Sequence, residues 1–291
     1  MFPIRDHNPS ERTPFVTWAL IAINIVVFLA YYPSLSGNQA HLLAFYGDWA
    51  LVAQDVVGGA EWHTLLSHMF LHGGWMHLIG NMLFLWIFGD NVEDLLGHVG
   101  FLAFYILAGL AAAIAQIVAA PGSTIPMVGA SGAIAGVMGG YLLMFPRARI
   151  DILVILIIFI KIFTIPAWLM LVLWFGLQLF NGLAMDVMGS GVAYWAHAGG
   201  FLAGGIILLP IWLRRGGVQY WAKPQSVTGY DRAHNVYNPT HRTTIPPVRR
   251  VRPVQNNDGY AIQSLSDLGR IPRSGRRHRP PLQSPWAKNK D

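Results

Sequence analysis

Four side chains in this sequence have the types and spacing for acyl-transfer chemistry. Ser131 stands in Gly129-Ala130-Ser131-Gly132-Ala133, near the start of one apolar run, and His197 in Ala196-His197-Ala198-Gly199-Gly200, near the start of another. A serine hydroxyl is a poor nucleophile until a base within hydrogen-bond reach takes its proton, and an imidazole titrates near enough to neutrality to do so. The tetrahedral oxyanion that follows needs preorganised donors. One is the backbone N–H of Ser131 if that residue lies at a helix N-terminus. His77 and Asn81, four residues apart on one helix face, offer two more from side chains. The same two residues would also serve as interhelical hydrogen-bonding glue. Ser190, in Gly189-Ser190-Gly191, is a rival serine, but its short glycine-flanked setting reads as a turn.

The elements that must position these groups are membrane-spanning helices. Of the 291 residues, 54% are hydrophobic and only 12% charged, and the mean hydropathy is +0.42, outside the range of soluble globular domains. Cysteine is absent, which excludes disulfides, a thiolate nucleophile and Cys-ligated metal. Six apolar runs are long enough to cross a bilayer, at about 15–33, 75–95, 99–120, 126–145, 166–186 and 192–213. The expected fold class is an all-α membrane protein, a six-transmembrane-helix bundle. Residues 1–14 form a polar N-terminus ahead of an uncleaved first span, 15–213 the membrane domain, and 214–291 a Pro- and Arg-rich tail with too few periodic hydrophobics to bury a core, which reads as disordered. The connection from 33 to 74 is too long to be passive, and its amphipathic pieces predict short interfacial helices.

Charge sets the expected topology. Of 20 Lys and Arg, 15 lie in the tail against four Asp, and such a block is retained on the cytoplasmic side of the cell membrane. With six spans Arg5, Arg12, Arg147, Arg149 and Lys161 fall on that side too, both termini are cytoplasmic, and no Lys or Arg lies outside. A seventh span at Ile150–Ile165 would split this agreement, so that stretch is expected to be an interfacial loop or an extended entry to the fifth span. Spans two, four and six then run inward from the outer face, which brings His77, Asn81, Ser131 and His197 to similar depth. Ser131 and His197 are expected roughly 5 to 10 Å below their helix starts. Gly132, Gly136 and Gly140, and Gly200 and Gly204, form small-residue rows that let two helix backbones approach closely in lipid.

Taken in order, His72-Gly73-Gly74-Trp75-Met76-His77-Leu78-Ile79-Gly80-Asn81, Gly129-Ala130-Ser131-Gly132 and Ala196-His197-Ala198-Gly199-Gly200 resemble the motifs of the rhomboid family of intramembrane serine proteases. The resemblance covers residues 15–213. It implies a rhomboid-like bundle, a Ser131–His197 dyad without an acidic third member, oxyanion stabilisation by His77 and Asn81, and cleavage of transmembrane protein substrates near the outer membrane boundary. Two positions depart from the family pattern. His63 follows Trp62 where the family has an arginine, and Ala135 stands four residues after the serine, where some members carry an aromatic that packs on the histidine. Another group must therefore orient His197.

No cofactor or metal is expected. His68, His72 and His77 are spaced by four and five with His63 upstream, but no Glu follows His68 as a zinc-protease motif requires, and a loop-ordering role suits them better. The basic tail fits contact with anionic lipid; it lacks the interleaved aromatics of a nucleic-acid binder. The competing functional classes are a rhomboid-like binder of transmembrane helices that does not cut them, which would be expected to lack the serine or the histidine, and a small-solute transporter, for which no convincing internal repeat is present.

Overall fold

The computed structural model describes residues 2–156, 159–184 and 192–222. Helix α1 spans Phe15–Leu35 and buries the single stripe Thr17, Leu20, Asn24, Phe28 and Tyr31, while Trp18, Val26 and Leu29 on its other faces are exposed, as suits a helix that meets protein on one side and lipid on the rest. Its first turn is held by Glu93, whose carboxylate accepts from the N–H groups of Val16 (2.8 Å) and Thr17 (2.7 Å) and from the Thr17 hydroxyl (2.7 Å). The negative charge satisfies orphan donors and complements the helix dipole together.

The long connection folds into short pieces: α2 (Gln39–Trp49), capped by Asn38; α3 (Ala53–Val57); α4 (Thr64–Ser67); and a 3-10 turn at His68–Phe70. Helix α5 then runs Trp75–Ala119, 45 residues interrupted at Gly97, which has φ 70° and ψ 166°. That left-handed φ is readily adopted only by glycine, and it divides α5 at the junction between the second and third apolar runs. Helices α6 (Ser131–Met144) and α8 (Tyr194–Arg214) pack against each other and against α5 around a core that includes Phe88, Phe101, Tyr105 and Tyr141. The glycine rows make this approach possible. A Cβ on Gly200 would overlap the carbonyl oxygen of Gly132, and one on Gly204 that of Gly136. Helix α7 (Ala167–Ala184) lies beside α8, and α9 (Val218–Ala222) turns back so that the Trp221 indole donates to Leu143 O at 2.8 Å.

Three expectations need correction. The chain is mostly helical but not all-α: Phe2–Asp6 (β1), Arg149–Leu156 (β2) and Phe159–Pro166 (β3) form an antiparallel sheet in the order β1-β2-β3. Ile150–Ile165 is accordingly a β-hairpin, with Ile150 paired to Ile165 and Val154 to Lys161, and the N-terminal segment contributes its third strand. The physical reason lies in a run dominated by β-branched Ile, too short for a span, whose backbone groups are satisfied by strand partners on both sides of β2. Finally, residues 126–130 are not helical. Met127 forms an antiparallel bridge with Leu51 (3.0 and 2.8 Å), so α6 starts at Ser131 itself and the serine does not lie a turn into its helix. The disorder expected over 214–291 does not hold at its start, where Arg214 ends α8 and Val218–Ala222 form α9; the rest, beyond 222, lies outside the described residues.

Candidate active site

Ser131 is the first residue of α6, and the chain reaches it through Gly129, whose φ is +131°. Glycine is required there for two reasons: the backbone conformation, and the absence of room for a side chain. A Cβ would stand 2.8 Å from His77 Nε2 and 3.4 Å from Ser131 Oγ. The approach is pinned from outside by the Gly129 N–H, which donates to His68 O at 2.9 Å. Ala130 at the N-cap supplies no side-chain hydrogen bond, so the first N–H groups of α6 have neither a helical partner nor a cap.

His197 is the fourth residue of α8. Its Nε2 lies 2.8 Å from Ser131 Oγ and its Nδ1 lies 2.9 Å from Gln178 Oε1 on α7. A carbonyl oxygen only accepts, so the Nδ1 carries the ring proton and the Nε2 lone pair faces the serine hydroxyl. The Trp174 ring, one turn earlier on α7, sits 5.8 Å from the imidazole at 36°. Helix α8 is itself held in register by Gln116 of α5, whose Oε1 accepts from Ala196 N at 3.2 Å.

His77 lies in the first turn of α5. Its Nδ1 accepts from Gly73 N at 3.3 Å, which leaves the proton on Nε2, the atom turned toward the Gly129 approach. Asn81 follows one turn later and is buried, and its Nδ2 has no hydrogen-bond partner among the described residues. An unused buried amide donor is unfavourable by ~1 to 3 kcal/mol, so such a group stands out.

Ser131, His77, Gln116 and His197 line one cavity of about 140 Å³, closed on another side by Leu51 and Met127, with room and polar partners for several waters. Asn81 is not part of that wall. Ser190 lies outside the described residues. The upstream histidines hold the loops. His68 Nδ1 donates to Thr64 O at 2.7 Å, and burial brings this imidazole down to about 4, so it is neutral at physiological pH. The backbone N–H and C=O of His72 both bond the Tyr31 hydroxyl (2.8 and 2.7 Å), and His63 Nε2 donates to Asp48 O at 2.8 Å. No group of three or more metal-ligating side chains occurs among the described residues.

The side chain that bonds His197 Nδ1 is Gln178, which sequence reasoning missed. A signal was present: Gln178 and Asn181 are the only amide side chains in the otherwise apolar α7, and polar groups at membrane depth usually have a purpose.

The Rhomboid domain family model matches residues 59–214, and the chain belongs to the rhomboid family. It is 36% identical over 131 residues to Rhomboid protease GluP of Bacillus subtilis (strain 168), covering 44% of this chain and 24% of that protein. Against Rhomboid protein 1, mitochondrial, of Saccharomyces cerevisiae it is 28% identical over 195 residues, 65% of this chain and 51% of the other. Against the human Presenilin-associated rhomboid-like protein, mitochondrial, it is 30% identical over 207 residues, 68% and 48%. The matched portion thus spans between about a quarter and a half of these relatives' lengths. Membership and, among the described residues, four helices long and apolar enough to span make this a membrane protein.

Proposed function

We propose that the chain is an intramembrane serine endopeptidase that cleaves membrane-anchored proteins near the outer boundary of the cell membrane, with Ser131 as nucleophile and His197 as general base. The observation that carries this reading is the 2.8 Å contact between Ser131 Oγ and His197 Nε2, made by two helices locked together through glycine and beside a cavity large enough for water. His197 takes the Ser131 proton as Oγ attacks the scissile carbonyl. The oxyanion is held by the Ser131 N–H and the His77 Nε2–H; Asn81, buried outside the cavity wall, joins them by turning its unused Nδ2 toward the reacting carbonyl. The Nε2 proton then passes to the departing amine, and a cavity water, deprotonated by the same imidazole, releases the acyl group.

Six segments make the crossings in this proposal: α1, the two parts of α5, α6, α7 and α8. The charge distribution supports cytoplasmic termini. At 14 residues α6 is about 21 Å long, shorter than the ~30 Å hydrocarbon layer, so a helix whose C-terminal end reaches the inner face begins below the outer one, inside a protein-lined wet cavity. The basic tail, 214–291, is proposed to contact anionic lipid through its excess of Arg. In proteoliposomes, the purified protein is expected to cut a membrane-anchored reporter without added metal or ATP, and Ser131→Ala and His197→Ala are expected to abolish cleavage. Undiminished cleavage by either variant contradicts the proposal, and solute uptake without cleavage favours a transporter.

A further inference from the structure

The proposed dyad has a third member built into α7. We propose that Gln178 is a positioning residue for His197, holding the imidazole in the tautomer that can act as base; this rests on the protease reading of the same site. The motivating geometry is the 2.9 Å contact between Gln178 Oε1 and His197 Nδ1, on the far side of the ring from the 2.8 Å contact with Ser131 Oγ.

An imidazole between a hydroxyl and nothing else has two ways to satisfy the hydroxyl. With its proton on Nε2 it donates to Oγ and cannot take the serine proton; with the proton on Nδ1 it accepts and can. The hydrogen bond at one nitrogen selects the state of the other. An amide oxygen at Nδ1 stabilises only the second arrangement, and does so without placing a second charge in a low-dielectric site, where an unpaired carboxylate is costly. Orientation is fixed by the same helix. Trp174 and Gln178 are four residues apart and so share one face of α7, and that face also carries the fully buried Ala167 and Leu171. On its other side Val172, Leu173, Leu177 and Phe180 are exposed. Trp174 lies against the ring and Gln178 bonds its edge. From α6, Ala135 offers neither contact.

The role separates from a purely structural one in three readouts. Gln178→Met keeps length and packing but has no strong acceptor; its kcat on a membrane-anchored reporter is expected to fall by up to ~10⁴, the loss that accompanies the wrong tautomer, with KM little changed. Its rate of labelling by a small fluorophosphonate, which needs the same base but no docked transmembrane segment, is expected to fall in parallel. Gln178→Glu restores an acceptor. The carboxylate favours the imidazolium, so kcat is expected to recover toward wild type at alkaline pH, with the acid limb of its pH–rate profile moved to higher pH. Wild-type kcat in Gln178→Met overturns the proposal. So does a kcat loss with unchanged labelling, which assigns Gln178 to substrate docking, or an unmoved acid limb in Gln178→Glu, a measurement available even if the methionine variant fails to fold. If the wild-type protein neither labels nor cleaves, the protease reading falls and this one with it; if it labels at Ser131 and the Gln178 variants match it, only this one falls.

Discussion

Gly129→Ala is the substitution whose consequences the site geometry fixes most tightly. The added methyl would stand 2.8 Å from His77 Nε2 and 3.4 Å from Ser131 Oγ, where ordinary van der Waals contact begins at 3.4 Å. The imidazole must therefore retreat by about 0.6 Å. It retreats from the Gly129 approach to Ser131, so the Nε2–H is drawn away from an oxyanion formed at that serine. Loss of one such donor lowers kcat on the order of 10² to 10³. Independently, an alanine at φ +131° carries backbone strain of ~1 to 3 kcal/mol, expected as a lower thermal midpoint. The assay is kcat on a membrane-anchored reporter in detergent, normalised to folded protein by gel filtration and a thermal melt, with Gly80→Ala as the comparison. A methyl added at Gly80 would meet nothing within 4 Å, and that variant is expected to match wild type. A folded Gly129→Ala protein with kcat within about twofold of wild type would refute the placement of His77 at the reacting carbonyl.

Three other outcomes follow from the same structure. Asn81→Ala is expected to reduce kcat on the order of 10² to 10³ with KM little affected; an unchanged kcat would make its unpartnered Nδ2 a packing feature only. Burial, reinforced by the charge of Asp90, pushes the Asp6 carboxyl up to about 7 from 3.8. The folded state then holds this proton more tightly than the unfolded chain, so the contribution of Asp6 to stability falls as pH rises from about 4 to about 7. Asp6→Asn, which keeps an acceptor for the Tyr141 hydroxyl at 2.9 Å, is expected to flatten that dependence and raise the thermal midpoint above pH 7; a melt profile identical to wild type across this range contradicts it. Because Trp221 is bonded to Leu143 O, truncation after Ala222 is expected to leave cleavage unchanged while truncation after Arg215 lowers the thermal midpoint, and equal melts for the two would dismiss α9 as an anchor.

The candidate residues of the site were legible in the sequence because their choice depends on residue types. A serine, a histidine and two amide or imidazole donors at apolar helix starts are conspicuous in a chain with few polar residues, and glycine rows announce which helices touch. What was not readable depends on partners distant along the chain. Gln178 is nineteen residues from His197 and meets it only because α7 lies beside α8. The extended segment 126–129 continues the apolar run of α6 without a break in composition, so only its pairing with Leu51 and the bond from Gly129 N to His68 O show that the helix begins at Ser131. Ile150–Ile165 has the composition of a lipid-facing segment, and its β-hairpin emerges from strand partners, one of them supplied by the first residues of the chain.

The central claim is that the Ser131 hydroxyl is made nucleophilic by His197. Its most direct test is covalent: purified protein treated with a fluorophosphonate, followed by intact-mass and peptide mass spectrometry. The expected result is a single phosphonyl adduct on Ser131, lost in Ser131→Ala and strongly slowed in His197→Ala. An adduct on another residue such as Ser190, or labelling of Ser131 that proceeds equally fast without His197, would contradict it.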